Sequence, residues 1–267
     1  MPDHDRYRLG NIVRYLADSL TPVRNQDYKI RVRDIDGVRT LQFNSPWIQG
    51  AMRLSAPDDI EIEYVQQMML WTLFMSAPDS ICQLGLGAGT LTRFCLRHYP
   101  RADVTAVEIS PDVIQMCHEQ FLLPERHDKM TLVETDASDF VAQTDNHGRF
   151  DILQVDLYDA VSNGPARGSR AFYRDCAATL TDTGMMVVNI FCDYPDHYIY
   201  IRRLESIFEG VAWLPVVHDS NIVVIGFKAS PKLDFSSLYQ RAEEVESSLG
   251  LPARSWVDGL YLWTEEQ

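Results

Sequence analysis

Residues 81–110, ICQLGLGAGTLTRFCLRHYPRADVTAVEIS, constrain the fold of this chain more than any other stretch. The apolar run Ile81 to Leu86 ends in Gly85, Gly87 and Gly89, where the lack of side chains lets the backbone turn sharply and a ligand approach it. A helix is expected from about Leu91 to His98, with its unpaired N–H groups facing that turn. A second strand, Val104 to Ile109, places Glu108 roughly twenty residues past the glycines, where a carboxylate can take both hydroxyls of a ribose. A glycine turn alone predicts only a turn. The ordered set of strand, G-x-G-x-G, helix, strand and acid predicts a nucleoside site. A phosphate cradle is not expected, because no Lys-Ser or Lys-Thr follows the glycines.

The flanking sequence alternates in the same way. Pro111 opens an expected helix burying Val113, Ile114, Cys117 and Phe121. Met130 to Val133 reads as a strand ending at Asp136, Phe150 to Val155 as a nearly all-apolar one ending at Asp156, and Gly184 to Phe191 as another. Val211 to Val217 and Ile222 to Phe227, separated by His218 to Asn221, read as an antiparallel hairpin at the sheet edge. The predicted class is α/β: a mostly parallel, methyltransferase-like (Rossmann-like) sheet with helices on both faces, not a dinucleotide dehydrogenase. Before it, a helix over Asn11 to Leu20 and a hairpin of Tyr28 to Arg33 and Val38 to Phe43 around Asp36-Gly37 predict a small N-terminal β-domain. Asp58 and Glu61 form a capping box expected to open a helix running to Met75, which Pro78 stops. After Pro231 a helix carries Leu238, Ala242, Val245 and Leu249, ended by Gly250. The aromatic tail from Ser255 is read as packing on the domain or on a second subunit. The expected division is 1–57, 58–230 and 231–267.

Composition narrows the partners. The net charge of −14 over 267 residues disfavours nucleic acid, which attracts basic stripes, and is compatible with a cationic small substrate. The five cysteines are odd in number and sit mostly in apolar segments, so they read as reduced core residues. The seven histidines show no paired metal spacing, and no metal site is predicted. No signal peptide is read in MPDHDRYRLG, and the apolar run Met68 to Met75 is too short to span a bilayer, so a cytoplasmic protein without a membrane partner is expected.

In open parallel sheets, ligands sit beyond the carboxyl ends of the strands. Glu108, Asp136, Asp156 and Asp159 fall there. Each could instead cap the next helix, and for Asp136 adenine contact and capping both stay open. The Asp156-x-x-Asp159 pair follows an apolar strand directly, where a carboxylate has a desolvation cost and a functional role is expected.

These residues carry a resemblance. The chain is similar to the spermidine synthase family of aminopropyltransferases over most of its length. Gly85-Leu86-Gly87-Ala88-Gly89-Thr90 resembles that family's GGGDGG, Val107-Glu108-Ile109 its ribose acid, and Thr135-Asp136-Ala137 its adenine contact. Asp156-Leu157-Tyr158-Asp159-Ala160, with Gly164-Pro165-Ala166 following, resembles its D-S-x-D-P…GPA run. The hairpin ending in Trp47-Ile48-Gln49 and the stretch Asp59 to Met68, with Tyr64, resemble its small β-domain and the segment behind it. The resemblance implies aminopropyl transfer from decarboxylated S-adenosylmethionine to putrescine or another polyamine. Asp156 is then the proton acceptor and Asp159 the amine site. Gly85, Gly87, Gly89, Glu108, Asp136 and Ala137 are implied to hold the donor, and Tyr64 and Gln49 the substrate. It also implies that the small β-domain is a homodimerisation element, a role its pattern does not demand. Three departures stand out. Ala88 replaces the Asp that holds the donor's amino group, Val65-Gln66 replace two polar groups after Tyr64, and the short turn His218 to Asn221 replaces an aromatic segment. Two alternatives therefore stay open: a methyltransferase using intact S-adenosylmethionine, and a nucleoside-binding protein that does not catalyse.

Overall fold

The computed structural model describes residues 30–43, 48–157, 168–191, 196–215 and 221–265. The expected helix over 11–20, Trp47, Asp159 and the Gly164-Pro165-Ala166 motif lie outside them.

Two sheets are formed. In the first, β1 (Arg31–Ile35), β2 (Val38–Gln42) and β3 (Ile48–Arg53) pair antiparallel in that order. Asp36 and Gly37 both take positive φ, 50° and 78°, the pattern that matches hairpin twist and that these two residue types tolerate best. Tyr28, where the hairpin was expected to start, lies outside the described residues, and β3 is an addition to the hairpin. Leu41 and Met52 of this sheet are fully buried against Ala88 and Phe121, so the small sheet packs onto the glycine turn.

The second sheet contains β4 (Ser80–Leu84), β5 (Asp103–Glu108), β6 (Met130–Glu134), β7 (Phe150–Val155), β8 (Leu180–Phe191), β9 (Gly210–Trp213) and β10 (Asn221–Phe227). Their order is β6-β5-β4-β7-β8-β10-β9, parallel from β6 to β8, with β10 antiparallel to both neighbours. The chain leaves β4 toward β5 and β6, then returns to the other side of β4 with β7. That reversal opens a crevice at the carboxyl ends of these strands. Alternate residues supply the two faces. Ile81, Val104, Ile152 and Val187 pack with Trp71, Phe94 and Trp256 on one side. Leu84, Leu153, Val155 and Met186 pack with Phe140, Tyr173 and Leu204 on the other.

One expectation is corrected. The helix predicted from Asp58 to Met75 is a short helix, Glu63–Gln67, followed by a 3-10 turn, Leu70–Leu73, and its N-cap Ile62 makes no side-chain cap bond. The Glu61 carboxylate cannot cap because it is engaged by the Arg53 guanidinium, with Nε to Oε1 and Nη2 to Oε2 both 2.6 Å. The aromatic tail is a helix, Ala253–Glu265, that buries Trp256, Val257 and Leu260 in the main core. The preceding helix, Phe235–Leu249, ends as predicted on Gly250 at φ 68° and buries Leu238, Ala242 and Val245.

Candidate functional site

The crevice above β4, β5, β6 and β7 holds a pocket of about 300 Å³. Gly85, Gly87, Glu108, Asp136, Ala137 and Asp156 line it, with Gln49 from β3 and Tyr64 from the Glu63–Gln67 helix closing the other wall. Eight of the site residues expected from sequence therefore meet around one cavity. Gly89 is off its wall, at the N-cap of helix Thr90–His98 with φ 67°. Asp159 lies outside the described residues.

The glycine turn is built by contact with its surroundings. Gly85 has φ 95°, and a Cβ there would run into the Asp156 carbonyl oxygen, so β4 and β7 approach closely only because position 85 has no side chain. Ala88, only 2% exposed, fills the space over Gly50 of β3, where any added Cβ would collide with it. The Thr90 hydroxyl donates to the Ala51 carbonyl at 3.2 Å and fastens the same strand.

The acids differ in their surroundings. Glu108 accepts from the Leu86 N–H at 3.0 Å through Oε2 and from the Ser110 N–H at 2.9 Å through Oε1. Each oxygen of an ionised carboxylate keeps a further acceptor site, so the fixed carboxylate can still take two hydroxyls from the cavity. Asp136 caps helix Ala137–Ala142 by accepting from the Ser138 N–H at 2.7 Å, and it also faces the pocket. Capping is thus observed, and it leaves room for the second role.

Asp156 is half-buried at the end of β7. Its Oδ1 accepts from the Asn189 amide at 3.0 Å and its Oδ2 from the Tyr64 hydroxyl at 3.4 Å. Burial pushes the carboxyl pKa up, and the two hydrogen bonds pull against that shift. Burial and the neighbouring carboxylate push the Tyr64 hydroxyl well above the usual tyrosine value, so it stays a neutral donor. Asn189 was missed in the sequence. Its signal was an amide inside the apolar run of β8, where it is 2% exposed. The arrangement places a carboxylate of raised proton affinity in one pocket with a second carboxylate held by backbone N–H groups.

If Glu108 holds the ribose, Glu108→Ala is expected to weaken methylthioadenosine binding at least about tenfold, the loss expected for charge-assisted hydrogen bonds. Calorimetry measures it. Unchanged affinity would remove Glu108 from the site.

Known proteins share the domain and the fold. The spermine/spermidine synthase domain matches residues 63–201. The polyamine aminopropyltransferase of Chromobacterium violaceum is 33% identical over 234 residues, covering 87% of this chain and 89% of that protein. A probable spermidine synthase from Corynebacterium glutamicum shares the fold with a TM-score of 0.70 and 20% identity, over 90% of this chain and 95% of that one. Human Methyltransferase-like protein 13, solved in complex with SAH, shares it with a TM-score of 0.64 and 21% identity, over 71% of this chain and 93% of that one. By its matched domain and by its identity to that relative, the chain belongs to the spermine/spermidine synthase family.

Proposed function

We propose that this protein is an aminopropyltransferase, moving an aminopropyl group from decarboxylated S-adenosylmethionine to an amine or polyamine acceptor. The observation that carries the reading is Asp156, a half-buried carboxylate of raised proton affinity at a strand end, sharing one pocket with Glu108. An alkylammonium is protonated at neutral pH and cannot attack, so its proton must leave as the bond forms. The acceptor nitrogen attacks the carbon attached to the sulfonium, the carbon–sulfur bond breaks, and its electron pair stays on sulfur as methylthioadenosine departs. The proton goes to Asp156. Glu108 takes the ribose, Asp136 and Ala137 lie at the adenine, Gly85, Gly87 and Gly89 shape the turn, and Tyr64 and Gln49 form the acceptor wall. Asp159, by the family resemblance, binds the amine's distal charge. The protein titrates no nucleic acid and works without a bilayer in this reading, and the small sheet is its homodimer contact.

The test is mass spectrometry of products formed with decarboxylated and with intact S-adenosylmethionine and several amines. An aminopropylated amine with release of methylthioadenosine supports the reading. A methylated acceptor would replace it by methyl transfer, and tight binding without any product would replace it by a binding role.

Ala88 bears on the donor. A carboxylate at that position would attract the ammonium of the decarboxylated donor and repel the carboxylate of the intact one. Ala88→Asp is expected to move the ratio of the two dissociation constants toward the decarboxylated donor, by about tenfold. A ratio that stays put would show that position 88 does not face the donor's amino end. Melting temperature should fall in either case, because a carboxylate is added at a position only 2% exposed.

A further inference from the structure

A buried polar chain runs beneath the pocket. Gln83 of β4 and Gln154 of β7 are register partners, each 1% exposed, and lie two residues before Gly85 and Asp156 on the same face of the sheet. The Thr92 hydroxyl, from the helix that opens at the glycine turn, donates to Gln83 Oε1 at 2.6 Å. Gln83 Nε2 donates to Gln154 Oε1 at 3.0 Å, and Gln154 Nε2 donates to the Met68 carbonyl at 2.9 Å. The remaining amide hydrogens face sulfur, Cys95 Sγ at 3.6 Å and Met69 Sδ at 3.4 Å. Met68 is the C-cap of the helix that carries Tyr64, and its own N–H closes on the Tyr64 carbonyl at 2.9 Å.

The neighbours of these amides on that face are Ile81, Ile152 and Val187. Leu or Met would fill the same layer without desolvating two amides, so packing alone does not account for glutamine. A satisfied amide chain adds direction, because each bond fixes the angle and distance of the next. What it fixes is the helix of Tyr64 relative to the strand of Asp156. The Tyr64–Asp156 bond at 3.4 Å lies at the outer edge of hydrogen-bond range, so a small helix shift breaks it.

We propose that Gln83 and Gln154 are positioning residues, whose amide chain holds the Tyr64 hydroxyl on Asp156 and so sets the basicity of the proton acceptor. The proposal rests on the reading of Asp156 as that acceptor. Among the described residues, the groups bonded to Asp156 are Tyr64 and Asn189, and the other carboxylates on the pocket wall are Glu108 and Asp136. Loss of the Tyr64 bond leaves the anion less stabilised, so the carboxyl binds its proton more tightly and turnover fails at a higher pH on the acid side.

The test is Gln83→Met combined with Gln154→Met, which removes both amides and keeps side-chain length. One readout is kcat and KM against pH. The other is independent of turnover: carbon NMR titration of Asp156 in protein labelled at the aspartate carboxyl, assigned by its loss in Asp156→Asn. Turnover on the acid side of the pH profile is expected to fall about tenfold with donor KM within about twofold. The NMR midpoint should rise by about one pH unit. Tyr64→Phe alone should give the same rise, and adding it to the double variant should add nothing. A folded double variant with wild-type midpoint and kcat overturns the proposal, and so does a shift that adds to that of Tyr64→Phe. Should the double variant fail to fold, Thr92→Val removes only the first donor of the chain, and a midpoint unmoved there overturns it equally. Wild-type protein that yields no product while the midpoint moves as expected would reject the transfer reading and retain the positioning role.

Discussion

Asp156→Asn is expected to leave methylthioadenosine affinity within about twofold while lowering turnover by about two to four orders of magnitude, the range general base catalysis supplies. Asparagine keeps the shape and can still accept from the Asn189 amide, but it has no basic oxygen. Stability should move the other way. The folded carboxyl has a raised pKa because burial disfavours its charge, so the folded protein binds that proton more tightly than the unfolded chain does. Stability therefore falls as pH rises from the ordinary carboxylate value through the folded one, and stays lower above it. Asp156→Asn should raise the melting temperature at neutral pH, and the gain should vanish in acid below the ordinary carboxylate range. Turnover near wild type would remove Asp156 as the base. A neutral-pH melting temperature below wild type would show that the carboxylate is a structural anchor instead.

Trp256→Ala is expected to be the most damaging substitution remote from the pocket. The side chain is 2% exposed, in the core cluster that also holds Trp71, Phe94 and the strand residues Ile81 and Val187. Truncating a buried tryptophan costs about 3–5 kcal/mol. For a chain of this size that corresponds to a drop in melting temperature of roughly 6–20 °C. The surface ties of the same helix, Arg254 to Glu243 at 2.6 Å and the Tyr239 hydroxyl to Asp258 at 2.6 Å, are exposed and cannot replace that burial. Scanning calorimetry measures the drop. A shift under about 2 °C would mean that the C-terminal helix is not part of the folding core.

What could be read from the sequence follows from how local each signal is. The strands β4, β5 and β7 announce themselves because burial on both faces demands mostly apolar runs. The Asp36-Gly37 turn and the Gly250 cap are set by residues a few positions apart, and Glu108 by one strand–turn–helix–strand unit that returns it beside the glycines. Strand β3 was missed because IQGAMR neither alternates nor carries β-branched residues after Ile48, and its place is decided by contacts with Gly87, Ala88 and Thr90. The C-terminal helix was not read because Gly250 and Pro252 ended the preceding helix and the aromatic tail was assigned no element. Gly259 is there because a Cβ would meet Pro215 Cδ at 2.8 Å, so helix and strand end approach over it. Gln83, Gln154 and Asn189 look like stray amides in apolar strands, and only the sheet register brings them under or beside Asp156. Asp58 and Glu61 gave a local signal that a distant partner, Arg53, overrode.

The seating of Ala88 on Gly50 means that two positions far apart in the chain share a single allotment of volume. Growth at Gly50 is blocked unless Ala88 yields its one methyl group, whereas Ala88 also borders the pocket on its other side. In evolutionary terms position 88 is not free to drift. A lineage that places an acid there has to keep position 50 a glycine, because a side chain at 50 would claim the space that position 88 already fills. Engineering of donor choice in this protein therefore has to treat the glycine turn and the small sheet as one coevolving unit.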